Sequence, residues 1–402
     1  MIARTTPHRP YARLGAVALV APMLIFLLLV FAWPLAGMLG MAVRDGDLAR
    51  VMPRTVVALR DWDGTALPGP TAFAAAATDL AEAAGARTAG IAAKRLGYDD
   101  PAWRKTITET ARALRGVEIA PPDARQALVD MDPNWGKLQI WSALRAASGP
   151  FSDRFLLEAI DLQRAPDGAV TFVTEANRIY VDILARTFGI AAAVTAIAVL
   201  LALPTAYLLM SAAPATSRFL MIAVLLPLWT SVLVRSAAWT ILLQDNGLVN
   251  AALLKLGLIQ VPLSLMYNRT GVVIALTHVL LPFAVLPILT AMRNVPRNQT
   301  LAASSMGAGP LRTFAEIYLP QILPGISAGG LLVFILTLGY YITPLLLGGP
   351  SDQLLPYYIA QHTTQTANWG LAAALGAILL TATVLLYALY VRMVGVNRIG
   401  MG

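Results

Sequence analysis

The chain has 402 residues, 57% apolar and only 13% charged, where soluble domains carry about 25% charged residues, so its composition is that of a membrane protein. It contains no cysteine, which excludes disulfides and thiolate metal sites. Its formal charge of +8 is unevenly spread: residues 44–186 hold 18 Lys/Arg and 19 Asp/Glu, while the remainder holds 12 and 3, so the basic excess lies beside apolar runs, the pattern of membrane topology and not of nucleic-acid binding.

Residues 1–13 carry Arg4, Arg9 and Arg13, and the apolar run Leu14 to Trp33 follows. At about 20 residues the run can cross a hydrocarbon core of about 30 Å. It is longer than the usual signal-peptide core and lacks a small-x-small cleavage site, so it is read as the first membrane helix, with a cytoplasmic N-terminus. Residues 1–43 form this N-terminal part.

Residues 44–182 are different material, polar and interrupted at Pro68-Gly69-Pro70, Gly97, Pro101, Pro121-Pro122, Gly149-Pro150 and Pro166. Helices are predicted over Thr71 to Ala84, Ala102 to Leu114 (N-capped by Asp100 with Pro101 first), Asn134 to Ala147 and Ser152 to Ile160. Trp135, Leu138, Trp141 and Leu144 recur every three residues and give one apolar face. Ala169 to Val173 reads as a short strand. This is long enough for a small core of its own, so a mostly helical extracytoplasmic domain is predicted between the first and second spans. It contains no His and no Cys, hence no catalytic constellation.

Residues 183–402 read as a five-helix core. The second span is predicted over Phe188 to Met210, the third over Phe219 to Leu243 and the fourth over Gly271 to Met292. The fifth covers Ile322 to Leu347 and the sixth Leu371 to Val391. A surface helix is expected at Leu248 to Leu256. The fold class is thus an all-α membrane protein with six spans. The positive-inside rule agrees: Arg4, Arg9, Arg13, Arg218, Arg293, Arg297, Arg312, Arg392 and Arg398 fall on one side, whereas the two short outer loops hold only Lys255 and Arg269. Both termini and the loop 294–320 are therefore expected in the cytoplasm.

That loop, NVPRNQTLAASSMGAGPLRTFAEIYLP, is polar and rich in small residues. Thr300 is read as the N-cap of a helix running from Leu301 to Ala308. Ala302, Ala303, Ser304 and Ser305 give it a low, flat surface, and Gly307 with Gly309-Pro310 ends it. A second segment, Leu311 to Tyr318, leads to Pro320. Ala302, Ala303, Gly307, Ile317, Leu319 and Pro320 stand at the spacing E-A-A-x-x-x-G-x9-I-x-L-P, which resembles the signature loop of binding-protein-dependent ABC importer permeases. Leu301 stands where that family usually has Glu. LLPLWTSVLVRSAAWTILL (Leu225 to Leu243), NGLVNAALLKLGLI, LTHVLLPFAVLP and LGYYITPLLLGGP (Leu338 to Pro350) resemble the spermidine/putrescine-type permeases. The similarity covers about Phe188 to Val391 and, more loosely, the first span; the large insertion departs from the compact members.

The resemblance implies the six-span ABC permease fold and a coupling helix that docks on a separate ABC ATPase dimer, with ATP and Mg held there. It also implies a second related permease subunit, an extracytoplasmic solute-binding protein and a lipid surround. The chain has no G-x-x-x-x-G-K-[S/T] loop and is read as a transport subunit, not an enzyme. A small amine, polyamine-like, is the solute expected. Along the pathway, Arg235 is read as a tether bonded to carbonyls or as a solute contact. Trp229, Trp239, Tyr340 and Tyr341 are candidates for attracting an ammonium ion, and Asp245 and Asp352 for the pathway mouth. His278 is read as a core histidine. An ion-coupled secondary transporter or channel and a membrane sensor using residues 44–182 are the alternative classes. The first expects ionisable groups or broken helices at mid-membrane, and Arg235 is the one clear charge inside a predicted span.

Overall fold

The computed structural model describes residues 10–117, 119–165 and 168–394; Arg4, Arg9, Arg398 and Pro166, used in the sequence reading, lie outside these. Among the described residues five helices are long and apolar enough to cross a membrane, and a bent pair raises this to six when taken as one span. The chain divides into two compact units, one holding the chain up to Thr174 with Trp369–Ala374, the other Glu175–Asn368 with the chain from Leu375.

In the first unit the opening helix runs Pro10–Leu27, continues through a π-helical turn Leu28–Ala32 and ends as Trp33–Gly40. Its membrane-competent part is Leu19–Gly40, several residues beyond the predicted end at Trp33. The π-turn shifts the bonding register just ahead of Pro34, whose missing N–H would otherwise break the helix.

The polar segment that follows is mostly helical, as predicted, but Ala89–Leu96 and Ala124–Met131 are helices that the sequence reading did not contain, and the predicted Ser152 to Ile160 forms only Arg154–Glu158. Pro70–Gly85, Ala89–Leu96, Pro101–Ala113 and Ala124–Met131 form, and the Asp100 carboxylate accepts from Ala102 N at 2.8 Å. Trp135 precedes the next helix, in a 3-10 turn Pro133–Gly136 before Leu138–Ala146, so the predicted single helix is two pieces. Phe73, Trp135 and Trp141 form the centre of the core, with ring centroids 4.5 Å and 5.4 Å from Trp141. Both indoles are satisfied: Trp135 donates to Thr110 Oγ1 and Trp141 to Trp135 O, each at 2.9 Å. Buried Arg95 donates to both oxygens of buried Asp45 at 2.5 Å and to Asp99 at 2.7 Å. Burial works against charge on Arg95, and the two carboxylates more than offset it, so its pKa is raised. The predicted strand pairs: β1 (Leu162–Arg164) and β2 (Val170–Phe172) form an antiparallel hairpin.

In the second unit Tyr180–Ser211, Arg269–Arg293 and Leu319–Leu338 pack on one another around a common apolar core. Small residues permit this closeness: a Cβ on Gly325 would sit 2.4 Å from that of Ala291, and one on Gly329 2.9 Å from Ala284 O. The third predicted span departs from the sequence reading. It is two helices, Pro214–Trp229 and Val232–Leu242, bent by 106°. Thr230 and Ser231 are extended at the joint. The Pro227 carbonyl, left by the helix there, is taken by Thr230 Oγ1 at 3.1 Å and by the Arg235 guanidinium.

The fifth span also ends early, at Leu338; after Gly339–Tyr341 a separate helix Ile342–Leu347 follows. The loop after the third span is held by buried Asn250, which donates to Gln244 O and Leu263 O and accepts from Leu263 N. The surface helix there is Leu248–Lys255. The loop before the last span carries helix Leu355–Thr364, which the sequence reading did not contain. The last helix is Trp369–Val394.

Candidate functional site

The loop between the fourth and fifth spans folds as a short helix, Arg297–Ser305. It starts earlier than predicted. Thr300 is not the N-cap: its hydroxyl donates to Arg297 O at 2.8 Å, inside the helix, while Pro296 stands at the cap position. The helix also ends earlier, at Ser305 and not Ala308, although Gly307 terminates it as predicted. Gly307 has φ +85°, Gly307 N donates to Ser304 O and Ala308 N to Ala303 O, both at 3.0 Å. That is the Schellman pattern, in which the left-handed residue turns the chain and satisfies the last carbonyls. The segment after it, Pro310–Thr313, passes through a π-turn Phe314–Tyr318 directly into Leu319–Leu338. Ile317 therefore lies in the π-turn, and Leu319 and Pro320 open the fifth span, with which the segment from Pro310 forms continuous helix.

The exposed surface of this loop is more apolar than its composition suggests. Leu301 is 59% exposed, Met306 83% and Leu311 85%. Ala302, Ser304 and Ser305 are exposed too, but Ala303 is buried within the chain and does not contribute to an outward flat surface. Met306 and Leu311 were missed by the sequence reading, because their prominence depends on where the Schellman turn points them.

The pathway candidates separate into groups. Arg235 ties the two limbs of the broken third span through Pro227 O, and its Nε is buried with no hydrogen bond. Next to it Ser236 Oγ meets Thr343 Oγ1 at 2.9 Å, which fixes the second limb against Ile342–Leu347. Trp239 donates from Nε1 to Nδ1 of His278 at 3.3 Å, with ring centroids 5.3 Å apart. That bond places the imidazole proton of a neutral His278 on Nε2. His278 is exposed, not a core residue. Arg235 lies one turn before Trp239 on Val232–Leu242, so Arg235, Trp239 and His278 form one polar-aromatic neighbourhood, while Tyr340 packs against the apolar core. Tyr341 stands at the N-cap of Ile342–Leu347. Trp229 is exposed at the end of the first limb, and Asp245 is exposed in the turn after the second. Asp352 is already engaged: buried, it accepts from Arg269 Nε and Gly349 N, each at 3.3 Å, and so clamps its loop. Among the described residues no group of three or more His, Asp or Glu side chains is placed to hold a metal.

A model of the family described as binding-protein-dependent transport system inner membrane component matches residues 191–394. The match leaves out the helical domain of the first unit. The chain is 34% identical over 235 residues to the inner membrane ABC transporter permease protein YdcU of Escherichia coli, covering 54% of this chain and 72% of that protein. It is 30% identical over 214 residues to the spermidine/putrescine transport system permease protein PotB of the same organism, covering 53% and 78%. Among solved structures, a bacterial ABC transporter involved in the import of the acidic polysaccharide alginate has a chain with 18% identity and a TM-score of 0.44, covering 57% of this chain and 82% of that chain.

Proposed function

Since the chain belongs to the family of binding-protein-dependent transport system inner membrane components, we propose that it is the permease subunit of an ATP-driven ABC importer and that Arg297–Ser305 is its coupling helix. The observation that carries this reading is the short, Schellman-capped helix with Leu301, Met306 and Leu311 turned outward. An apolar ridge on an otherwise polar loop gains by being covered, at about 25 cal/mol per Å². The groove of a separate ATPase is the partner this reading gives it. ATP and Mg are held by that partner. The ATPases close on ATP, push the short helix and, through the π-turn at Phe314–Tyr318, move the fifth span.

The solute is a small amine of polyamine type, delivered by a solute-binding protein and shared with a second permease chain. The relatives named for spermidine/putrescine transport support this class. Arg235 acts as the tether of the broken span: with its guanidinium on Pro227 O it holds the two limbs, and the faces of Trp229, Trp239, Tyr340 and Tyr341 are left to attract an ammonium ion. The test is uptake of labelled spermidine into vesicles holding the complete importer. ATP-dependent uptake is expected, and its loss in Met306→Asp with Leu311→Asp. Uptake that persists without ATP, driven by an ion gradient, would overturn the reading.

A further inference from the structure

The first unit carries an apolar surface beside the end of its membrane helix. Phe151 is 68% exposed, Phe172 63% and Val170 49%. Their position follows from the backbone. The membrane-competent stretch ends at Gly40. Beyond it the chain stays coiled, with Met41 N bonded to Met38 O, Ala42 N to Leu39 O and Val43 N to Gly40 O. At the rise of about 2.0 Å per residue of such 3-10 bonding, Arg44 lies about 8 Å past the span. The headgroup layer on each side of a bilayer is about 5–8 Å deep.

Phe151 is fixed at that level. It pairs with Arg44 in an antiparallel bridge, flanked by Asp45 N to Pro150 O at 3.1 Å and Ser152 N to Val43 O at 2.8 Å. Residues paired across such a bridge project to the same face, so exposed Arg44 and exposed Phe151 stand side by side. The hairpin is joined to the same place. Arg164 on β1 grips Asp153, two residues after Phe151, with bonds of 3.1 Å and 2.6 Å. In the hairpin register Arg164 faces Val170 and Leu162 faces Phe172, so these four share one face.

We propose that Phe151, Val170 and Phe172, with Arg44, form a foot by which the helical domain rests in the lipid headgroup layer at the C-terminal end of the first span. Aromatic and aliphatic groups enter that layer, and Arg44 pairs with a lipid phosphate while its stem lies along the apolar surface; Arg164, held by Asp153 and by Gly168 O, keeps the hairpin beside Phe151. Continuity with the span singles out lipid over a protein partner: the surface begins where the membrane helix ends. The foot fixes the height of the domain above the bilayer. Arg95–Asp45 transmits it inward, since Asp45 is the next residue after the bridge and Arg95 belongs to the helical core.

The absence of cysteine makes the test direct. Nitroxide labels are placed singly through Phe151→Cys and Val170→Cys on the full chain in vesicles of phosphatidylethanolamine and phosphatidylglycerol. Collision rates with oxygen, which partitions into lipid, and with a water-soluble nickel chelate are then read. Two labels carry references: Val117→Cys, exposed in the polar segment just after Pro101–Ala113, for water, and Trp33→Cys, exposed within the first span, for lipid. The proposal expects an oxygen-to-nickel ratio at 151 and 170 several-fold above that at 117. Ratios equal to that at 117 would overturn it, as would low rates with both agents, which would mean protein cover. A water-like label at Trp33 would remove the span itself, and the foot with it, without bearing on the coupling helix.

Discussion

Replacing Gly307 separates conformational strain from steric bulk. A Cβ built at Gly307 meets nothing within 4 Å, so the loss of space is negligible. The cost comes from φ +85°, which an L side chain adopts at about 1–2 kcal/mol. That lowers the population of the capped turn roughly 5–30-fold relative to its alternatives. Asn tolerates this region better than Ala, and a β-branched residue worst of all. The neighbouring Gly309 is the control: its φ is −66° and its Cβ position is also open, so Gly309→Ala is expected to be silent. The assay is solute imported per ATP hydrolysed in vesicles holding the full importer. The ratio should fall in the order Gly309→Ala, Gly307→Asn, Gly307→Ala, Gly307→Val, the first matching the unmodified chain. A normal ratio for Gly307→Val would refute the claim that the turn geometry transmits the stroke.

Other perturbations test other parts of the structure. Ala302→Asp, on the exposed surface, should weaken co-purification of the ATPase while leaving the thermal midpoint of the chain unchanged; Ala303→Asp buries a charge and should lower that midpoint instead. Arg95→Met leaves Asp45 buried without its partner and should cost the first unit about 3–5 kcal/mol, read from denaturant unfolding. Burial raises the pKa of Glu158, whose Oε2 lies 3.6 Å from Arg154 and makes no hydrogen bond. The sign follows: with the folded pKa above the unfolded value of about 4.3, its favourable contribution is present below that value and lost as pH rises through the folded pKa. Glu158→Gln should therefore gain stability over the parent at neutral pH and not in acid; an equal gain at both would reject the assignment.

Periodicity and caps made most of the architecture legible. Asp100-Pro101 marked its helix start to the residue, and Gly307 marked the end of the short helix, because both are local backbone signals. The bend at Thr230–Ser231 was not legible. Phe219 to Leu243 is mostly apolar and long enough for one span, and its Pro227 reads no differently from Pro204, which the second span accommodates without a break; the bend is held by the Arg235 guanidinium reaching back eight residues to Pro227 O, a bond that no residue pattern announces. Arg235 as a carbonyl-bound tether was nevertheless foreseeable, since a charge inside a span must find polar partners. Asp352 reads from sequence as a pathway-mouth acid or a turn former; only the fold brings Arg269 to it across the loop. The start of the short helix was misplaced because Thr300 has the chemistry of a cap, whereas Pro296, with its fixed φ, sets the start. His278 was assigned to the core from its apolar neighbours in sequence, which reveal nothing about the side of the helix that Trp239 approaches.

The central claim concerns contact between Met306 and a separate ATPase. With no native cysteine to confuse the result, Met306→Cys can carry a short photoreactive crosslinker, alongside Leu256→Cys on the loop after the third span as a comparator; both positions are strongly exposed. After illumination of the intact importer, the account predicts an ATPase adduct from position 306 that changes in yield on addition of ATP, and none from 256. An ATPase that crosslinks equally to both, or to neither, would contradict it.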